Sequence, residues 1–186
     1  MNSLPRNATL IIIDVQQGFD EPVWGQRNNP QAEENIARLL TAWRRTQRPT
    51  IHIQHLSGEP DSTLRPDHPG SAIKPIVQPL PGEPVIQKSV NSAFIGTDLE
   101  TRLRQNDLHT LVIVGLTTDH CVSTTTRMAG NLGFDTYVVS DATATFERDG
   151  YDGRHYSADE IHAVSLVSLN GEFATVVATD TLLKYV

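Results

Sequence analysis

The chain has 186 residues, of which 38% are apolar and 20% charged, the balance of a globular domain with one sizeable core. Fifteen basic against 22 acidic side chains leave a formal charge of −7. That argues against a nucleic-acid backbone or an anionic membrane as partner, because either needs a clustered basic face. A lone cysteine, Cys121, excludes an intrachain disulfide framework and fits a reducing compartment.

Thr9 to Val15 is a nearly continuous apolar run ending around an acid, Asp14, the pattern of a parallel strand covered on both faces. A helix is predicted over Asn29 to Gln47, with Pro30 in its first turn and Ile36, Leu39, Leu40 and Trp43 at helical spacing. Pro49 ends it, and Thr50 to Gln54 reads as a second strand. Leu56 to Pro84, rich in Pro, Gly, Asp and Ser, is a long irregular excursion suited to a pocket wall or a subunit contact. A short third strand follows at Val85 to Lys88. Asp98 to Gln105 is a helix with Thr97 as its cap. Thr110 to Gly115 is the fourth strand, and Asp119 to Asn131 a helix closed by Gly133. Thr136 to Ser140, Ala158 to Leu169 and Ala174 to Ala178 complete the pattern as strand, helix and strand, with a short helix at the end.

Strand and helix alternate, so one domain is expected over residues 1–186: a three-layer α/β/α architecture around a six-stranded, mainly parallel, Rossmann-like sheet. Residues 1–10 lack a basic region followed by a long apolar stretch, and no apolar run reaches bilayer length, so a cytoplasmic location is expected.

Ligands of such sheets bind beyond the carboxyl ends of the strands. Asp14, Lys88 and Cys121 each fall at or just after the carboxyl end of a different strand. A cysteine hydrolase needs a sulfur nucleophile, a proton acceptor and donors for an oxyanion. Cys121 would open a helix, where the dipole favours a thiolate. Asp14 would take the thiol proton and pass it to a leaving nitrogen. Lys88, one of only three lysines, would hold the carboxylate ionised and favour the thiolate.

The segments Asp14-Val15-Gln16-Gln17-Gly18-Phe19, Lys88-Ser89-Val90-Asn91-Ser92-Ala93-Phe94 and Gly115-Leu116-Thr117-Thr118-Asp119-His120-Cys121-Val122 resemble the three signature regions of the isochorismatase-like cysteine hydrolases. Nicotinamidases, N-carbamoylsarcosine amidase, ureidoacrylate and biuret hydrolases, and the isochorismatases belong to this superfamily. The resemblance spans essentially the whole chain, including Ser140-Asp141-Ala142. It implies Asp14 as general base, Lys88 as its charged partner and Cys121 as nucleophile. It also implies a cis peptide between Leu116 and Thr117, with the Thr117 and Cys121 amides as oxyanion hole. The reaction implied is hydrolysis of an amide, ureido or imide C–N bond of a small molecule through a thioester, in a homodimer or homotetramer. Aromatic residues of the matched segments, Phe19 and Phe94, are expected to line the pocket, with Trp24, His55 and Tyr151 as weaker candidates.

No metal or other cofactor is expected. The nicotinamidase metal site is built on an Asp-x-His pair and a further histidine after the second strand. Here that stretch reads His52-Ile53-Gln54-His55-Leu56, and histidines three apart in a strand point to opposite faces. His52 reads as a core histidine. His120 adjoins the nucleophile but diverges from it by about 100° on a helix and is not read as the base. Two other readings compete. Vinyl-ether hydrolysis of the isochorismatase type would need a receptor for two carboxylates, for which Arg27, Arg65 and Arg148 are the loop candidates. A catalytically idle interaction protein on the same fold is disfavoured by the presence of all three implied groups.

Overall fold

The computed structural model describes residues 4–186; residues 1–3, part of the stretch read for a leader, lie outside the described residues. Six parallel strands form the central sheet: β1 (Thr9–Ile13), β2 (Thr50–His55), β3 (Val85–Lys88), β4 (Thr110–Leu116), β5 (Asp135–Ala144) and β8 (Thr175–Val177), in the order β3-β2-β1-β4-β5-β8. A two-residue hairpin, β6 (Arg148–Asp149) with β7 (His155–Tyr156), stands apart from it. Five helices cover the sheet: α1 (Ala32–Arg45), α2 (Leu99–Gln105), α3 (Ser123–Asn131), α4 (Ala158–Leu169) and α5 (Thr179–Leu182).

Both faces of the sheet are buried, which is why its strands carry apolar residues at successive positions. Ile11 and Ile13 join Ile51, Ile53, Leu99, Leu103 and Ile113 in one core, beneath α2 and α3. Leu10 and Ile12 join Ile36, Leu39, Leu40, Trp43, Val112 and Val114 in the other, beneath α1. Consecutive residues of one strand thus feed opposite cores, as the period-2 alternation of side chains requires. Trp43 is fully buried and its indole nitrogen donates to the Ala8 carbonyl at 2.9 Å.

Several elements differ from the sequence-based reading. Helix α3 begins at Ser123 rather than Asp119, after a π-helical turn over Thr118–Val122, and three further differences have local reasons. Helix α1 starts at Ala32 rather than Asn29, because Asn29 takes a left-handed φ of 43° and its side-chain amide donates instead to the Ser140 and Thr143 carbonyls. Strand β5 runs on to Ala144, past a register shift between Ile113 and Gly115 of β4, so that Ala144 pairs with Leu116. The β6–β7 hairpin has no apolar alternation to announce it.

The order reverses between β1 and β4: β2 and β3 lie on one side of β1, β4 and β5 on the other. That switch point opens a crevice at the carboxyl ends. Gly115 lets the two strands meet there. Its φ is 121°, and a Cβ would fall 2.0 Å from the Ile13 carbonyl oxygen, so no other residue fits.

Candidate active site

Asp14 leaves β1 in a left-handed conformation, φ 51°, and its side chain is fully buried in the crevice. Lys88 ends β3 with its ammonium group equally enclosed. After β4 the Leu116–Thr117 peptide is cis, and a π-helical turn over Thr118–Val122 carries Cys121 into the same space before α3 begins at Ser123. The three side chains meet at one point. Lys88 Nζ lies 2.6 Å from Asp14 Oδ2, 3.3 Å from Cys121 Sγ and 2.9 Å from His55 Nδ1. The Asp14 carboxylate, a His55 ring nitrogen and the Cys121 sulfur all fall within 4.8 Å of one another.

Burial sets the electrostatics. Desolvation pushes the Asp14 carboxyl above its ordinary value although Lys88 pulls it down. The Cys121 thiol is pushed up to about 12, first by burial and then by the Asp14 charge, with Lys88 only partly offsetting both. This corrects the expectation of a thiolate favoured by a helix dipole. Cys121 precedes α3 in a π turn and touches the Lys88 ammonium, but loss of water together with the nearby Asp14 charge outweighs that contact. With both acids raised beside one ammonium, the pair resists a second negative charge and retains one proton between carboxylate and sulfur. The other carboxylate oxygen, Oδ1, is buried and has no strong partner, leaving it free to take that proton.

A cavity of about 530 Å³ opens above the sulfur. Its walls include Phe19, Trp24, His55, Thr117, His120 and Cys121. Trp24 packs against Phe19 with ring centroids 4.8 Å apart and donates from its indole to the Gly18 carbonyl at 2.8 Å. The irregular Leu56–Pro84 segment supplies a wall through Ser57, Gly58, Glu59, Ser62 and Leu64, the pocket role its composition suggested. It is anchored where Gly18 and Gly70 approach the Thr63 carbonyl, at distances a Cβ on either would violate.

Two predicted wall residues are elsewhere. Phe94 turns into the α2/α3 core and stacks on Phe134 at 5.9 Å, away from the cavity lining. Tyr151 is fully exposed on the turn between β6 and β7. Sequence reasoning missed Asn91, whose Oδ1 lies 3.8 Å from Cys121 Sγ, together with Ser57, Glu59 and Ser89. Asn91 follows Lys88 by three residues within a motif-bearing segment, and that proximity was its only signal.

The candidate carboxylate receptors are already engaged. Arg27 forks onto Glu33 at 2.7 and 2.9 Å, Arg65 pairs with Asp67 at 3.0 Å, and Arg148 holds Asp119 at 3.0 Å; none lines the cavity. His120 sits on the wall with Nε2 2.5 Å from Arg148 Nη1, which engages that nitrogen. His52 is buried in the sheet, its Nε2 3.1 Å from Glu83 Oε2, while His55 faces the other way. Among the described residues, Asp14, His55 and Cys121 form the one group with metal-ligand spacing. The Lys88 ammonium contacts all three, so a metal ion would have to displace a cation already using their lone pairs. The donor set does not fit a metal while Lys88 is in place.

Comparison with known proteins adds three findings. The isochorismatase domain model matches residues 8–181. An isochorismatase-family protein of Bacillus subtilis (strain 168), YrdC, is 54% identical over 181 residues, covering 97% of each chain, and nicotinamidase 3 of Arabidopsis thaliana is 26% identical over 193 aligned positions, covering 94% of this chain and 86% of its own. A crystal structure of an isochorismatase-family protein from Chromobacterium violaceum ATCC 12472 superposes with a TM-score of 0.96 at 49% identity, covering all of this chain and 96% of that one.

Proposed function

The chain belongs to the isochorismatase family of hydrolases, and on that premise we propose that it cleaves a C–N bond of a small neutral molecule with Cys121 as a covalent nucleophile. The observation that carries this reading is the contact of one buried ammonium, Lys88, with both Asp14 and Cys121 at 2.6 and 3.3 Å. As the sulfur attacks a carbonyl carbon, its proton moves to Asp14, so no net charge is added to the buried cluster. The amides of Thr117 and Cys121, both on the cavity wall, face the developing oxyanion. Asp14 then gives its proton to the departing nitrogen, leaving a thioester. Asp14 next takes a proton from the water that attacks the thioester and hands it to the departing sulfur, so the acid leaves and the Asp14 carboxylate and Cys121 thiol are restored.

Hydrolysis of an amide by nicotinamidase 3, as its name states, supports the same bond class here. A vinyl-ether substrate carrying two carboxylates is the second reading. It is disfavoured because each of the three candidate arginines is already paired with a carboxylate and none lines the cavity, while Glu59 does. The test is ammonia release from a panel of small amides, ureides and imides by the wild type and by Cys121→Ala, with intact-mass detection of an acyl adduct. Turnover that survives Cys121→Ala would remove the covalent route. The homodimer or homotetramer stands as part of this proposal; light scattering that finds only monomer would end it.

A further inference from the structure

His55 touches the reacting cluster without a role in the steps above. Its Nδ1 lies 2.9 Å from Lys88 Nζ. An ammonium group only donates, so Nδ1 must be the acceptor and the ring proton must sit on Nε2. The backbone around it is clamped: Gln16, fully buried, accepts from the His55 amide at 2.8 Å and donates to the His55 carbonyl at 2.9 Å, while its second amide hydrogen reaches the Ser71 carbonyl at 2.8 Å. The ring itself is half-buried on the cavity wall, and its Nε2 has neither a protein acceptor nor a seal from solvent among the described residues. The result is a neutral N–H held by a rigid support on the wall of the cavity that Cys121 also lines.

We propose that His55 is a substrate-positioning residue, a tautomer-locked Nε2–H donor that selects substrates carrying a second lone-pair acceptor beside the scissile carbonyl. Ureides, imides and heteroaryl amides have such an acceptor; simple aliphatic amides do not. Burial and the Lys88 charge both work to keep the ring neutral, holding its pKa down to about 4, so the donor persists through the physiological range. The groups facing it are Lys88, Asp14 and Cys121, with Glu59 also on the cavity wall. The selectivity claim rests on the reading of Cys121 as nucleophile; the tautomer does not.

Two measurements separate these layers. In ¹⁵N-labelled protein, long-range ¹H–¹⁵N spectra should show His55 as the Nε2–H tautomer, unchanged between pH 5.5 and 8. An Nδ1–H tautomer, or titration near the ordinary value of about 6.5, would overturn the proposal whatever the enzyme does. Protection of Cys121 from methyl methanethiosulfonate then reads selectivity without turnover. N-acetylurea, with two carbonyls, should protect the wild type about tenfold more effectively than butyramide, the worth of one well-placed hydrogen bond. His55→Leu should abolish that preference. His55→Gln, which can accept from Lys88 and donate into the cavity at once, should restore most of it. Equal protection by the two compounds in the wild type, or a Gln variant no better than Leu, would sink the selectivity claim. Failure of the amidase reading would show separately, as absence of turnover with the tautomer intact.

Discussion

Among the ion clusters of the described residues, those around Glu33 and Asp14 are built to opposite specifications. Glu33, at the start of α1, accepts two hydrogen bonds from Arg27 and one from Lys74, which also contacts Asp20 at 2.5 Å. Despite burial, these donors hold the Glu33 carboxyl down to about 2. Asp14 has one ammonium partner, a bare second oxygen and a thiol, and its carboxyl is pushed up. The first cluster has two cations on its central carboxylate and completes its hydrogen bonds, so its charge is fixed. In the second, a single cation serves two acids and leaves a lone pair exposed to the sulfur, so a proton can move. The proposed reactivity is that of an unfinished ion pair.

The comparison breaks most sharply by removing members of each cluster. Asp14→Asn, Lys88→Met or Cys121→Ala should each lower kcat/KM by roughly 10³-fold or more on any amide the wild type turns over. The double variant Asp14→Asn/Lys88→Met should stay folded, with a Tm at or above that of either single variant. Each single change strands a buried charge or donor, whereas the pair removes both. A double variant markedly less stable than either single would show that the cluster also holds the fold together.

Glu33→Gln should do the reverse. It leaves Arg27 and Lys74 with a neutral partner in a nearly buried site, at a cost of about 2–4 kcal/mol, or a Tm drop on the order of 5–15 °C, with kcat/KM little changed. The pH dependence has a definite sign. Because Glu33 titrates lower in the folded state, its contribution is fully present above about 4.5 and fades as pH falls toward 2. Asp14 contributes with opposite sign: its raised folded value makes ionisation a cost once pH rises above its ordinary range. Tm measured from pH 3 to 7 should therefore fall with acid more gently in Glu33→Gln than in the wild type. Equal slopes would mean that the Glu33 cluster is not the main acid-labile element.

A finer effect concerns the thiol. With its pKa raised, Cys121 should show no alkylation midpoint below pH 7 with iodoacetamide; such a midpoint would restore the thiolate picture that its position near a helix suggests. The smallest expected difference is selectivity between alkylating agents. Asp14 and Lys88 balance one another and Glu59 adds an anion to the wall, so neutral iodoacetamide should outpace iodoacetate by more than it does with free cysteine, about three- to tenfold. A preference for iodoacetate would revive the carboxylate-bearing substrate.

Much of this was legible in the chain. Apolar runs ending in Asp14, Lys88 and Gly115 gave the strands and their carboxyl ends, and the alternation with helices gave the parallel sheet that gathers them at one crevice. Composition marked Leu56–Pro84 as a pocket wall or a subunit contact, and residues between Ser57 and Leu64 of it do line the cavity. The hairpin at Arg148–Asp149 was not legible, since two-residue strands carry no periodicity. Phe19 and Phe94 occupy equivalent-looking places in their segments, yet one lines the cavity and the other stacks on Phe134; neighbours distant in sequence made that choice.

The sequence by itself determined which elements form and which residues end them, because side-chain period, turn chemistry and apolar runs are properties of local chain. Only the tertiary structure decided the proton inventory of the crevice. The pKa of a carboxyl or a thiol depends on how much water is removed and which charge stands within a few ångströms. For Asp14 and Cys121 those neighbours come from strands 33 to 107 residues apart in the chain, and their balance runs against the thiolate that the local sequence around Cys121 would favour.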